Sequence, residues 1–363
     1  MSDPETGQSS APLVSIVLCS RNDTYAERML ERQQLALNVL AEQMCSLPFL
    51  AELIVVDWNS PADKPDLEDA LHWPSFGEKT TVKIISVPGQ FQAAYKDSEL
   101  QPFNAAAAWN VGIRRARGKF ILPKAADTIY SNPLFQWLAK GNMNDHSMYR
   151  CDRYDVAPSV LDLESRKAHD VLASCESNIV ERHVRLPVHP GYGIPDLHTN
   201  GAGDFILMAR SFWHEIRGFE EAESSVVLDI DGLAMHAAYS AGVKENVLSD
   251  SFKIFKIRHQ SQFSKRTGRS YRSPWILIDL MMKTLGLPYN WRIDLRIRFD
   301  FPRRKIQGYN GVTFPSYARN FIEPSRKWAM EKPPHYLNGP EWGHANNEFK
   351  TTVICVPKQV KQS

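Results

Sequence analysis

One arrangement recurs along this chain: a short apolar run of strand length that stops abruptly in a polar cluster. Leu13-Val-Ser-Ile-Val-Leu-Cys19 runs into Ser20-Arg-Asn-Asp23, and Leu53-Ile-Val-Val56 into Asp57-Trp-Asn-Ser60. Residues 82–87 form a third run, and residues 120–122 a fourth that leads to Ala125-Ala-Asp127. Apolar runs without polar alternation suit parallel strands covered on both faces. Between them the period changes. Met29, Leu30, Leu37, Leu40, Ala41 and Met44 recur at helical spacing behind a capping-box signal, Thr24-x-x-Glu27, and 103–117 reads as a helix closed by Gly118. Alternating strands and helices predict an α/β fold with a doubly wound sheet.

Further along, residues 140–195 are less regular, with one helix expected around 162–174. Strands are expected at 204–209, 243–248 and 253–257, and helices at 211–217 and 229–241. Beyond about residue 270 Trp, Tyr, Arg and Pro follow no clear period, which predicts an irregular C-terminal extension. Residues 1–12 read as a flexible tail.

Composition narrows the class. Hydrophobic residues are 43% and charged residues 23%, which excludes collagen-like and disordered chains. Five Cys without a C-x-x-C spacing form neither a disulfide framework nor a zinc knuckle, and they suit a reducing compartment. The polar stretch 1–12 is no signal peptide, and no run of about 18 apolar residues is present, so a cytoplasmic protein is expected. The net charge of +2 names no nucleic-acid partner. It nevertheless averages two regions. Residues 253–305 hold 14 Lys and Arg against three Asp, a net of +11, which leaves −9 for the rest. That basic stretch suits a diphosphate or an anionic membrane surface, and the apolar segment 274–282 inside it is read as a core helix or an interfacial one.

In a doubly wound sheet, ligands bind beyond the carboxyl ends of the strands. The polar clusters after the strands, together with Arg258-His259 after the last, are therefore the candidate site. The first strand-to-helix turn lacks G-x-G-x-x-G and G-x-x-x-x-G-K-[ST], which disfavours a dehydrogenase and a P-loop ATPase. It also lacks the Gly-rich basic loop of a nucleotidyltransferase. A site that grips a nucleotide with side chains remains. A carboxylate such as Asp57 can accept the N3–H of uracil, and Arg21 can hold ribose or phosphate oxygens. Trp58 is read as packing, with a base-edge contact as the alternative. The aromatic residues of the extension, Trp342 among them, are sugar-stacking platforms or ordinary packing.

Three blocks carry a family resemblance: Val14-Ser-Ile-Val-Leu-Cys-Ser-Arg-Asn22; Leu53-Ile-Val-Val-Asp-Trp-Asn-Ser60; and Asn104-x5-Asn110-x-Gly112-Ile113-x-x-Ala116-x-Gly118-Lys-Phe-Ile-Leu122 with Ala125-Ala126-Asp127. A further set follows in Gly203-Asp204, Gly218-Phe-Glu220, Leu228-Asp229-Ile-Asp231 and Gly242. In order and spacing these resemble family 2-type glycosyltransferases with a GT-A, Rossmann-like fold, over residues 13–265. The resemblance implies a nucleotide-sugar half at 13–130, an acceptor half at 196–265, and an extension at 266–363. It implies transfer of a sugar from a nucleotide-diphosphate donor, UDP-sugar favoured, to a glycan or lipid-linked acceptor with inversion, as in polysaccharide biosynthesis. Ser20, Arg21, Asn22, Asp57, Asn59 and Asn110 would bind the nucleotide. Asp127 and His259 would hold Mn²⁺ or Mg²⁺, and Arg258, Lys265 and Arg266 would neutralise the diphosphate. Asp229 would be the general base, with Asp204 and Asp231 at the acceptor or sugar.

Two positions depart from the family pattern. Its D-x-D reads Ala125-Ala126-Asp127 and its E-D pair reads Leu228-Asp229, so each has lost one acid. A degenerate GT-A module that binds a nucleotide-sugar or glycan without turnover is the alternative.

Overall fold

The computed structural model describes residues 11–24, 27–99, 101–184, 195–225, 230–259, 281, 284–286 and 335–356. Strands β1 (Val14–Ser20), β2 (Ala51–Trp58), β3 (Thr80–Val87), β4 (Phe120–Ala125), β5 (Thr128–Tyr130), β6 (Ser147–Arg150), β7 (Asp152–Val156), β8 (Ile179–His183), β9 (Met208–Ala209), β10 (Lys244–Val247), β11 (Lys253–Ile257) and β12 (Lys350–Cys355) form three sheets. The helices are α1 (Met29–Met44), α2 (Leu67–Ala70), α3 (Gly89–Ala93), α4 (Ala105–Arg115), α5 (Asn132–Ala139), α6 (Ala168–Ser177), α7 (Arg210–Glu215) and α8 (Ile230–Ser240).

The central sheet has the order β12-β3-β2-β1-β4-β9. Its four inner strands are parallel, and β9 and β12 run antiparallel at the two edges. β1 and β2 are buried along their whole length, as unbroken apolar runs require. The fold is the expected mixed α/β, with helices on the sheet and no closed barrel. Register decides where the polar strand ends lie. Ser20 pairs with Asp57, Asp57 with Ser86, and Cys19 with Ala125, so those ends share one edge. A second sheet has the order β5-β11-β7-β8, and β10 pairs with β6 in a third.

Helix α1 lies between two cores. Leu37, Leu40, Ala41 and Met44 face the central sheet. Leu35, Ala36 and Val39 join Val171, Leu172, Phe255 and Ile257 of α6 and β11. One helix thus couples the two sheets by apolar burial on opposite faces.

α4 crosses β1 and β2 closely enough to demand a glycine. A Cβ on Gly112 would stand 2.4 Å from Val17 Cγ1 and 3.2 Å from Val56 Cγ2. Gly112→Val is therefore expected to destabilise the chain by about 2–3 kcal/mol through overpacking. A urea midpoint equal to that of the wild type would show that α4 can lift without cost.

Several expectations need correction. The capping box at Thr24 and Glu27 does not start α1. The helix begins at Met29 behind Arg28, a left-handed residue (φ 51°) without a side-chain cap, tied instead to Glu31 and Asp162. The helix expected around 162–174 begins at Ala168, because a 3₁₀ turn led by Pro158 occupies Pro158–Asp162. Only Met208–Ala209 of the strand expected at 204–209 pairs with β4, since Ala202–Asp204 curls into a 3₁₀ turn after left-handed Gly201 (φ 65°). The extension expected to be irregular supplies β12, paired with β3. The expected tail at 1–12, Ala11 and Pro12 apart, and the apolar segment 274–282, Met281 apart, lie outside the described residues.

The segment leading to β12 is fastened to α4. Arg114 donates to the carbonyls of Pro340 (3.1 Å) and Trp342 (2.9 Å), and its guanidinium lies 5.0 Å from the Trp342 ring centre. Arg115 donates to Gly343, His344 and Asn347 carbonyls at 2.8–3.0 Å. Trp342 is 5% exposed, so it packs and offers no sugar platform. No helix among the described residues is long and apolar enough to cross a membrane.

Candidate active site

A cleft of about 170 Å³ opens at the carboxyl edge of the central sheet. Ser20 and Arg21 at the end of β1, Asp127 after β4, and Lys256 and His259 at the end of β11 line it, with Phe103 from the loop before α4. Parts of the chain far apart in sequence meet here because β1 and β4 are neighbours and β5 returns the chain onto β11.

Asp127 sits at its floor and is almost wholly paired. Arg32 Nε stands 3.1 Å from Oδ2, His259 Nδ1 3.8 Å from Oδ2, and Lys256 Nζ 3.8 Å from Oδ1. Burial alone would raise the Asp127 pKa. Lys256, Arg32 and His259 outweigh it and hold the carboxyl at about 2. Lys256 also pairs with Asp204 Oδ1 at 3.2 Å, and Arg153 Nη1 pairs with Asp204 Oδ2 at 3.0 Å. Burial lowers the Lys256 pKa, but Asp204 and Asp127 reverse that and leave it raised. Under the turn, the buried Lys124 ammonium donates to the Ala125 (3.1 Å) and Thr128 carbonyls and so fixes the loop that carries Asp127. Burial brings its pKa down to about 7, against the pull of Asp127 and Asp204.

Around the cleft, most of the expected nucleotide ligands are engaged in shaping it. Arg21 donates to the Pro102 carbonyl and lies 2.9 Å from Asp23, while Asn59, itself left-handed at φ 55°, donates to the same carbonyl at 2.9 Å. Together they set the loop that presents Phe103. Ser20 donates to Gln33 (2.8 Å), and Asn22 donates to the Pro65 carbonyl (2.9 Å). Asp57 accepts from the Ser60 hydroxyl and from Leu67 N (2.9 Å), capping α2, and burial raises its pKa. Trp58 is fully buried with Nε1 on Gln92 (2.7 Å), the packing role expected of it.

Other expected residues stand apart from the cleft. Asn110 is buried and binds both the N–H and the carbonyl of Phe219 (2.7 Å each), so it ties α4 to the 218–221 loop. Arg258 is 59% exposed at its side chain and faces Glu181 on β8 at 3.7 Å. Asp231, in the first turn of α8, accepts from Gly203 N (2.6 Å) and Gly232 N (2.9 Å), and burial raises its pKa. That bond links Asp231 to Asp204 through neighbouring backbone, and thence to Lys256. Asp229, Lys265 and Arg266 lie outside the described residues.

Sequence reasoning missed Lys256, Arg32, Lys124 and Arg153. For two of them the available signal was a charge inside an apolar element, Lys124 in Phe-Ile-Leu-Pro-Lys-Ala and Lys256 in Lys-Ile-Phe-Lys-Ile, whereas Arg32 stands in the polar run Glu31-Arg-Gln-Gln34 and gave none. Arg150 was missed as well. It is fully buried and donates to the His198 (3.0 Å) and Phe205 carbonyls, holding the loop that carries Asp204.

No family model matches the chain, and no curated protein does. Among solved structures, the mannosyltransferase PcManGT from Pyrobaculum calidifontis, in complex with GDP-Man and Mn²⁺, is similar at 13% identity. Its TM-score is 0.40, over 89% of this chain and 74% of that one. TarS 1–349 of S. aureus is similar at 13% identity and TM-score 0.37, over 67% of this chain and 60% of that one. A mycobacterial protein matches at 12% identity and TM-score 0.37, over 76% of each chain. At these scores the likeness assigns no residue and no activity.

The residues present do not fit a divalent cation at Asp127. Mn²⁺ and Mg²⁺ want several oxygen ligands. Here Ala125 and Ala126 offer no side-chain oxygen beside Asp127. Both Asp127 oxygens already face cations. Among the described residues, the one group of three ligand-bearing side chains that converge is Asp155, Glu181 and His183 on β7 and β8, where Arg153 Nε stands 2.9 Å from Asp155.

Proposed function

We propose that the chain is a GT-A-type glycosyltransferase that uses a nucleotide-diphosphate sugar, with UDP-sugar favoured, to glycosylate a glycan or lipid-linked acceptor. The observation that carries this reading is the meeting of Ser20, Arg21, Asp127 and His259 in one cleft at the carboxyl edge of the parallel strands. Ser20, Arg21 and Asp127 come from blocks of the chain whose order resembles the family. A cleft at that edge is also where an α/β sheet takes its ligands.

In this reading the nucleoside lies over the end of β1, beside the loop pinned by Arg21 and Asn59. Each Asp57 oxygen has one partner, and a carboxylate oxygen can accept a second hydrogen bond, so base recognition by Asp57 adds the base N–H to the bonds from the Ser60 hydroxyl and Leu67 N. The diphosphate lies toward Lys256 and His259. Transfer is inverting. The acceptor oxygen attacks C1 of the sugar and the C1–O bond to the diphosphate breaks. Asp229 takes the acceptor proton, and the leaving group departs as the nucleoside diphosphate. Asp204 and Asp231 orient sugar and acceptor. The basic stretch 253–305 brings the enzyme to a membrane surface when the acceptor is lipid-linked.

The test is release of nucleoside diphosphate from a panel of UDP-, GDP- and dTDP-sugars, with and without Mn²⁺. Release from at least one donor is expected, if only by slow hydrolysis. Binding of a donor with no release in any condition would move the assignment to the non-catalytic module that the two missing acids suggest.

A further inference from the structure

The geometry points to Lys256 as a built-in replacement for the metal: its ammonium meets the donor diphosphate, and the site binds that group without a divalent cation. This rests on the nucleotide-sugar reading above and specifies how its anionic end is held.

Lys256 is placed for the task. It projects from β11 into the cleft beside His259 and Asp127. Its side chain is 23% exposed, whereas those of Asp127 and Asp204 are 5% exposed. The lysine is thus more accessible than either acid it pairs with. The other oxygen of each acid is taken by a guanidinium, Arg32 for Asp127 and Arg153 for Asp204. Lys256 is therefore held by two acids while neither depends on it alone. An ammonium has three donors in rotatable positions, enough to keep one anchor and still reach two phosphate oxygens.

The same arrangement works against a metal. A divalent ion at Asp127 would have to displace Arg32 or His259 from Oδ2, or sit against the Lys256 ammonium on the Oδ1 side. Like charges at that range repel strongly in a partly dry cleft. Lysine and metal are thus alternatives for one position. The loss of the companion acid at Ala125 removes an oxygen that a metal would need and a lysine would not.

The experiment is calorimetric titration of the purified full chain with UDP, GDP and dTDP, in EDTA and separately in Mn²⁺. At least one nucleotide is expected to bind with the same affinity, within about twofold, in both buffers. Lys256→Gln should weaken that binding about 10- to 100-fold, the range of a lost charge-assisted contact, and leave binding of the matching nucleoside unchanged. Lys256→Arg should recover most of the loss. Asp127→Asn should leave binding insensitive to EDTA, with circular dichroism verifying the fold of each variant. Binding that needs Mn²⁺ and disappears in EDTA or with Asp127→Asn would overturn the inference and leave the glycosyltransferase reading standing. Wild-type affinity in a folded Lys256→Gln would remove the lysine from the role. Binding of no nucleotide in either buffer would overturn the donor site itself, and this inference with it.

Discussion

Replacing Asp229 with Asn is expected to lower sugar transfer by about 10²–10⁴-fold, the range over which a positioned general base acts. Nucleoside diphosphate affinity should stay within about twofold of wild type. The reasoning is that proton removal from the acceptor hydroxyl belongs to the transition state, whereas donor binding precedes it. Product formation under saturating donor, together with titration of the nucleotide, separates the two effects. Asp231→Asn is the informative comparison. Its carboxylate accepts Gly203 N and Gly232 N, so an amide there should disturb the loop bearing Asp204 and raise acceptor KM more than it lowers the rate of transfer. Near wild-type transfer by Asp229→Asn would move the base elsewhere, with Asp231 next in line.

Removing residues 335–363 is expected to cost at least about 5 kcal/mol, enough to leave most of the chain unfolded. Trp342, buried against Arg114, accounts for much of this, and Trp342→Ala alone should cost about 3–5 kcal/mol. The truncation also leaves Arg115 without three carbonyl partners and uncovers the β3 edge. Asn338, which accepts from Glu221 N and donates to the Arg217 and Phe219 carbonyls, would be lost with it. Urea denaturation followed by circular dichroism measures both changes. A truncated chain with a wild-type midpoint would show that the segment is dispensable to the fold.

The parts of this structure that were legible in the sequence share a cause. β1, β2 and α4 announce themselves through local patterns: unbroken apolar runs, or an apolar face behind Asn104, which caps α4 through Ala107 N. The strand-end clusters were legible too, because parallel strands in register must finish on one edge, as Ser20 and Asp57 do. What stayed hidden depends on partners distant in sequence. β7, β8 and β12 were not read as strands, because none carries a strong period of its own and each is fixed by a partner, β7 by β11 and β8, and β12 by β3. The same holds within the cleft. Asp127 and His259 were visible as polar residues after strands. Lys256 and Arg32 were not visible, because their place at the cleft comes from the acids they pair with, which lie far away in sequence and explain why burial tolerates them. Asn110 erred the other way. A polar residue inside a motif looked like a ligand, yet its amide is spent on Phe219.

The pairing of β12 with β3 has a kinetic consequence. One edge of the central sheet is filled by residues made long after the strand they cover, so while the chain is being synthesised β3 has an open ladder of N–H and C=O groups. Closing it joins segments far apart in sequence, β3 (Thr80–Val87) and β12 (Lys350–Cys355), a high-contact-order step that local helix formation does not speed. The nascent protein must therefore carry an adhesive flank through most of its synthesis. Expression yield and dependence on chaperones should track how quickly β12 docks.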